Sequence, residues 1–125
     1  MNIPAGKYYL SDPCYLFNDE DWDYFCDHID EEFFEIHGKM VCVFRTAYGD
    51  GYYNVKYHPS WKVPVDAGVI GLTPVDIITK EPWMEFPIVE FKKDTECYSE
   101  NGVLHFGKYK IDTNWKEYKN ERTWR

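Results

Sequence analysis

NDEDWDYFCDHID, residues 18–30, followed by EEFFEIHGKMVCVFRT, residues 31–46, is the stretch that decides how this chain folds. Its first part reads as a helix. Asn18 is placed to cap it, and Asp19, Glu20 and Asp21 fill the first turn, where the helix dipole favours acids. Trp22, Phe25, Cys26 and Ile29 recur at i, i+3, i+4 and i+7. One face is therefore apolar, predicted to pack Trp22, Phe25 and Ile29 on a sheet with the acids turned outward. Phe17, just before the cap, is placed to staple onto Trp22. The second part changes period: Phe33 to His37 and Met40 to Thr46, on either side of Gly38, read as a hairpin rich in β-branched and aromatic residues.

Working outward, Lys7 to Leu10 reads as a short strand. It ends in Ser11-Asp12-Pro13-Cys14, a turn in which proline presets φ and the aspartate carboxylate caps the backbone. Downstream, Gly49-Asp50-Gly51 breaks the chain and Tyr52 to Tyr57 resumes as a strand. His58-Pro59-Ser60 and Val63-Pro64 read as loop, and Val65 to Leu72 as a buried strand whose glycines admit a close backbone. Pro82 and Pro87 bracket a segment that no central strand can occupy. Ile88 to Phe91, Glu96 to Ser99 and Val103 to Phe106 are predicted strands, with Asn101-Gly102 as a tight turn and Tyr109 to Ile111 finishing the sheet. The expected fold is α+β: a single curved antiparallel sheet or open barrel with one N-terminal amphipathic helix. Residues 1–113 are expected to form one domain, and 114–125 a polar, frayed tail.

At 125 residues the chain suffices for one domain and can bury a core without disulfide or metal. Eleven tyrosines, eight phenylalanines and five tryptophans serve either a ring-packed core or a ring-lined binding surface. Cys14, Cys26, Cys42 and Cys97 include no CxxC pair, which points to reduced thiols. Met1 to Leu10 holds one lysine and no long apolar run, and no apolar run in the chain is membrane-length. The cytoplasm is the expected compartment, with no membrane partner.

The net charge is −8, and it is unevenly spread. No Lys or Arg lies between Lys7 and Lys39, a stretch that holds ten Asp and Glu residues from Asp12 to Glu35. Such a field repels phosphates, so direct nucleic-acid binding is not expected. The acidic run is either a solvated face that keeps the chain soluble or a docking face, in which Asp27, Glu31 and Glu35 would meet a basic partner. Asp19-Glu20-Asp21-Trp22-Asp23 imitates the start of a calcium loop, but Tyr24 stands where that loop needs glycine and Asp30 where it needs glutamate. His28, His37, His58 and His105 are isolated, and neither a P-loop nor a G-x-S-x-G elbow is present. No metal or cofactor is expected.

Three short pieces place an aspartate in or beside a turn: Asp12-Pro13-Cys14-Tyr15, Gly49-Asp50-Gly51-Tyr52 and Val65-Asp66-Ala67-Gly68. Turn carboxylates commonly bond their own backbone. If the three loops instead converge, Asp12, Asp50 and Asp66 could bind a small polar ligand, with Cys14, Tyr15 and Tyr52 as its walls, or share acid–base work.

The same pieces carry a family likeness. G-x-Y-x-L-S-D-P-C-Y at 6–15, Trp22 in an acidic helix, G-D-G-x-Y at 49–53 and V-D-A-G-x-I-G at 65–71 resemble a family of short uncharacterised bacteriophage and bacterial proteins, with FGKYKIDT at 106–113 extending the likeness. The resemblance implies a phage or prophage origin, and small acidic phage proteins often act by occluding a host protein. The sequence thus points to a non-enzymatic acidic binding protein, a phage accessory factor that inhibits a host or defence component by occlusion or by sequestering a small ligand. The alternatives are a small carboxylate- or metal-dependent hydrolase and a virion accessory protein.

Overall fold

The computed structural model describes residues 1–114, so the tail expected beyond them lies outside the described residues. The strands are β1 (Asn2–Ile3), β2 (Gly6–Ser11), β3 (Phe33–Ile36), β4 (Lys39–Arg45), β5 (Gly51–Val55), β6 (His58–Val65), β7 (Val69–Pro74), β8 (Ile88–Phe91), β9 (Thr95–Glu100), β10 (Val103–Phe106) and β11 (Tyr109–Asp112). One α-helix, α1 (Asp19–His28), lies between β2 and β3, flanked by 3-10 turns at Pro13–Tyr15 and Ile29–Glu31.

The expectation of one curved sheet or open barrel with an amphipathic helix is overturned. The protein is mostly β, with 49% of the described residues in strands and 14% helical, and its strands form separate sheets, none closed into a barrel. A five-stranded sheet runs β3-β4-β7-β2-β8, a four-stranded sheet runs β1-β9-β10-β11, and β5-β6 form a two-stranded ribbon. All pairings are antiparallel. The cause lies in β7. All six of its residues are buried, as a strand covered on both faces requires, and β2 and β4 occupy both its edges. The large sheet therefore has two apolar faces to cover. Tyr8, Leu10, Phe44 and Leu72 face the cluster shared with Leu104 and Phe106 of the small sheet and Tyr53 and Val63 of the ribbon. Val41, Val43 and Val69 face the opposite cluster, with Leu16, Phe17, Phe25 and Phe86.

The helix meets its expected cap, since the Asn18 side chain accepts from Asp21 N at 2.9 Å. Its packing is thinner than the periodicity implied. Phe25 alone is fully buried, Trp22 and Ile29 are half-buried, and Cys26 is exposed. Phe17 packs on Phe25, with ring centroids 5.6 Å apart, and Trp22 stacks on Phe25 at 5.4 Å, so Phe25 is the anchor that the staple reading gave to Trp22.

Residues 58–65 are strand rather than loop. In a two-stranded ribbon β6 has a partner on one side only, and a proline can turn its missing N–H to the free edge. The turn before it was hidden as well: Val55 pairs with His58 across Lys56 and Tyr57, and Tyr57 takes the left-handed conformation (φ 67°) without being Gly or Asn. By contrast, Asn101-Gly102 closes its hairpin as expected, both residues at positive φ.

Among the described residues no helix is long and apolar enough to cross a membrane. All four cysteines are free; Cys26 is exposed, Cys14 half-buried, and Cys42 and Cys97 are in the core between the sheets. A thiol reagent added to the native protein is expected to modify Cys26 first and Cys14 more slowly, and to reach Cys42 and Cys97 only when urea opens the core. Melting curves with and without reductant should coincide. Rapid reaction of all four thiols would show that the two sheets do not enclose Cys42 and Cys97 as described.

Candidate functional site

Asp12 directly follows β2 and is fully buried. Its carboxylate is held chiefly by backbone amides, with the Cys14 side chain beside it. Oδ1 accepts from Cys14 N at 2.9 Å, which caps the 3-10 turn, and Oδ2 accepts from Asp66 N at 2.9 Å and Ala67 N at 2.7 Å in the turn between β6 and β7. Burial pushes the Asp12 carboxyl up from its ordinary value, and the three amide donors pull it back down. Acceptance of several N–H bonds by both oxygens is the pattern of an ionised carboxylate.

The three aspartate loops do meet. Thr46 N donates to Gly68 O at 2.9 Å, and Thr46 Oγ1 donates to Gly49 O at 2.8 Å, so the turns around residues 49 and 68 lie against each other. The side chains gather less completely. Burial raises the Tyr15 phenol far above its ordinary value, and the charges of Cys14, Asp12, Asp66 and Tyr52 act in the same direction. Those five residues therefore share one neighbourhood. Asp66 and Tyr52 are exposed at its rim. Asp50 is exposed on its own turn.

Chemically this cluster is a clasp. Asp12 spends both oxygens on amides 54 and 55 residues away in sequence as well as on Cys14 N, which binds the end of β2 to the β6–β7 turn. Burial, then the Asp12 charge, pushes the Cys14 thiol far above its usual range. A thiol and a phenol held protonated this firmly are poor nucleophiles and poor bases near neutral pH. Among the described residues, no group of three or more His, Cys, Asp or Glu side chains is gathered to hold a metal ion.

The acidic run makes a different surface. Glu20, Asp23 and Asp27 form an outward stripe along α1, and Asp19, Asp30, Glu31, Glu32 and Glu35 extend it, all exposed. Some of the charge is answered: Arg45 reaches Asp30 at 2.7 Å, His28 reaches Glu31 at 2.5 Å and His37 reaches Asp21 at 3.0 Å. Asp19, Glu20, Asp23, Asp27, Glu32 and Glu35 have no cationic partner among the described residues.

The sequence reading missed the segment between β7 and β8, where Trp83 stands 58% exposed beside a pocket of about 660 Å³. The legible signal was EPWMEFP at 81–87: large apolar side chains held between two prolines, on a stretch that no central strand could absorb.

No protein-family model, curated protein or solved structure matches this chain.

Proposed function

We propose that this chain is a non-enzymatic acidic binding protein of the cytoplasm that covers a basic surface on a protein partner. The observation that carries the proposal is the helical layer: eight exposed carboxylates fall between Asp19 and Glu35, and most lack a cation among the described residues. Charge left unanswered on one side steers association with a surface of opposite sign and fixes its orientation. The buried clasp supports the same reading from the other direction, because its carboxylate is committed to scaffolding. The likeness of its motifs to phage proteins supports a partner in the bacterial host, with inhibition by occlusion as the outcome.

The test compares the wild-type chain with an Asp27→Asn, Glu31→Gln, Glu35→Gln variant as baits in bacterial lysate, followed by affinity measurement on whatever the wild type retains. All three side chains are exposed, so the variant should fold. It should bind at least about tenfold more weakly, with a flatter dependence on salt. A partner held equally by both proteins, or one whose affinity ignores salt, would overturn the proposal.

A further inference from the structure

We propose that the pocket beside Trp83 receives an arginine side chain of the partner, its guanidinium lying on the exposed face of the indole. The inference rests on the reading of a basic partner and adds the element that partner must present.

The segment that carries Trp83 is pinned at both ends. Thr79 N and Lys80 N donate to Leu16 O at 2.9 and 3.1 Å, and Leu10 N donates to Pro87 O at 2.9 Å. Within it the indole is braced by two rings: Tyr15 meets it edge-on at 5.6 Å and Phe86 at 5.9 Å, while Tyr15 and Phe86 stack on each other at 5.5 Å. An indole so held, yet 58% exposed, leaves much of a fixed aromatic ring open to solvent. Binding to it costs little ordering, which is what makes such a ring an interface anchor.

The pocket next to that ring has apolar walls from Tyr9, Met84 and Ile88, and two carboxylates, Glu81 and Glu85, line it as well. Among the described residues no Lys, Arg or His lines it. An aromatic plane with carboxylates beside it suits a guanidinium better than an ammonium. The guanidinium is planar and weakly hydrated, stacks on rings and forks to carboxylate oxygens, whereas an ammonium keeps its water. The pocket also belongs to the partner-facing side proposed above. Phe86, Tyr15, Met84 and α1's Phe25 and Trp22 pack in one apolar cluster on the same face of the five-stranded sheet, so pocket and acidic helix cover one side of the molecule.

The probes are three peptides, acetyl-Gly-Gly-X-Gly-Gly-amide with X as arginine, lysine or citrulline, titrated to about 10 mM into the isotope-labelled chain by NMR. The arginine peptide should shift the Trp83 indole N–H and the amides of 81–86 saturably. It should bind about threefold or more tighter than the lysine peptide, and the citrulline peptide, equal in shape but neutral, should produce no saturable shift. Trp83→Ala should abolish the response at 81–86, Trp83→Phe should keep part of it, and the Glu81→Gln, Glu85→Gln pair should weaken it severalfold. These side chains are mostly outside the core, and dispersed amide spectra will confirm that each variant is folded. Absence of a saturable shift at 81–86, equal binding of the citrulline peptide, or shifts confined to α1 would each overturn the arginine site. If the site fails while the acidic-face variant still loses its partner, the docking proposal survives alone. If the arginine peptide binds here while that variant keeps its partner, the reverse holds.

Discussion

Gly71→Ala should cost about 3 kcal/mol or more and leave the five-stranded sheet unable to close around β7. Gly71 is paired with Ser11 of β2 on one side and Val43 of β4 on the other, at the centre of the sheet. A methyl group built there would run into the carbonyl oxygen of Cys42 and lie 3.0 Å from the Cα of Val43. Both are backbone atoms of a paired strand, so relief would require moving β4 itself rather than a side chain. Overpacking of a rigid core costs in the range of 1–3 kcal/mol where side chains can adjust, and more where they cannot. Gly49→Ala is the control. Nothing lies within 4 Å of its added methyl group, and only its left-handed backbone (φ 68°) is penalised, by about 1 kcal/mol. Urea denaturation of the two variants should separate them clearly. Equal costs would mean that β4 and β7 approach less closely at Gly71 than the geometry states.

Asp12→Ala should be of comparable size. It removes the acceptor of three amide donors at once, in a position with no access to water. A buried donor left unpaired costs about 1–3 kcal/mol, and a loss of about 3–5 kcal/mol is expected because the β6–β7 turn can relax only in part. Asp12→Asn should fall between the two, since one amide oxygen still accepts while the new NH2 group faces a donor. Hydrogen exchange gives a sharper readout than melting alone: the amides of Asp66 and Ala67 should lose protection in Asp12→Ala. If they stay protected in Asp12→Ala, something other than the carboxylate holds that turn.

The local grammar of the chain was readable because it depends on neighbours in sequence. Asn18 caps its helix, Asn101-Gly102 turns its hairpin, and the alternation in Phe33–Ile36 and Lys39–Arg45 places Val41 and Val43 on one face with Cys42 and Phe44 on the other. Partition into separate sheets was not readable. Nothing in Asn2–Ile3 announces that it pairs with Thr95 and Glu96, nor in Thr95–Asp112 that these strands stay together rather than joining β8. The same limit governs the site. Asp12 as cap of its own turn is a local inference and holds, whereas its second oxygen answers a turn far along the chain. Tyr9 and Ile88 meet Trp83 at one pocket only because β2 and β8 are neighbours, which composition cannot express.

The order of pairing also has a kinetic meaning. β2, near the start, finds its partners at residues 71–74 and 88–91, and β1 finds its partner at 95–96. During synthesis, Tyr8 and Leu10 must wait, exposed, until most of the chain has been made, while the hairpins at 33–45 and 51–65 can close at once. Distant contacts of this kind slow folding toward milliseconds to seconds and lengthen the interval in which apolar strands are open to other chains. The segment that separates β2 from β3, α1 with its flanking turns, carries nine of the ten acidic residues that lie between Lys7 and Lys39. Mutual repulsion between nascent chains is then a second consequence of the acidic layer, acting before any partner is met.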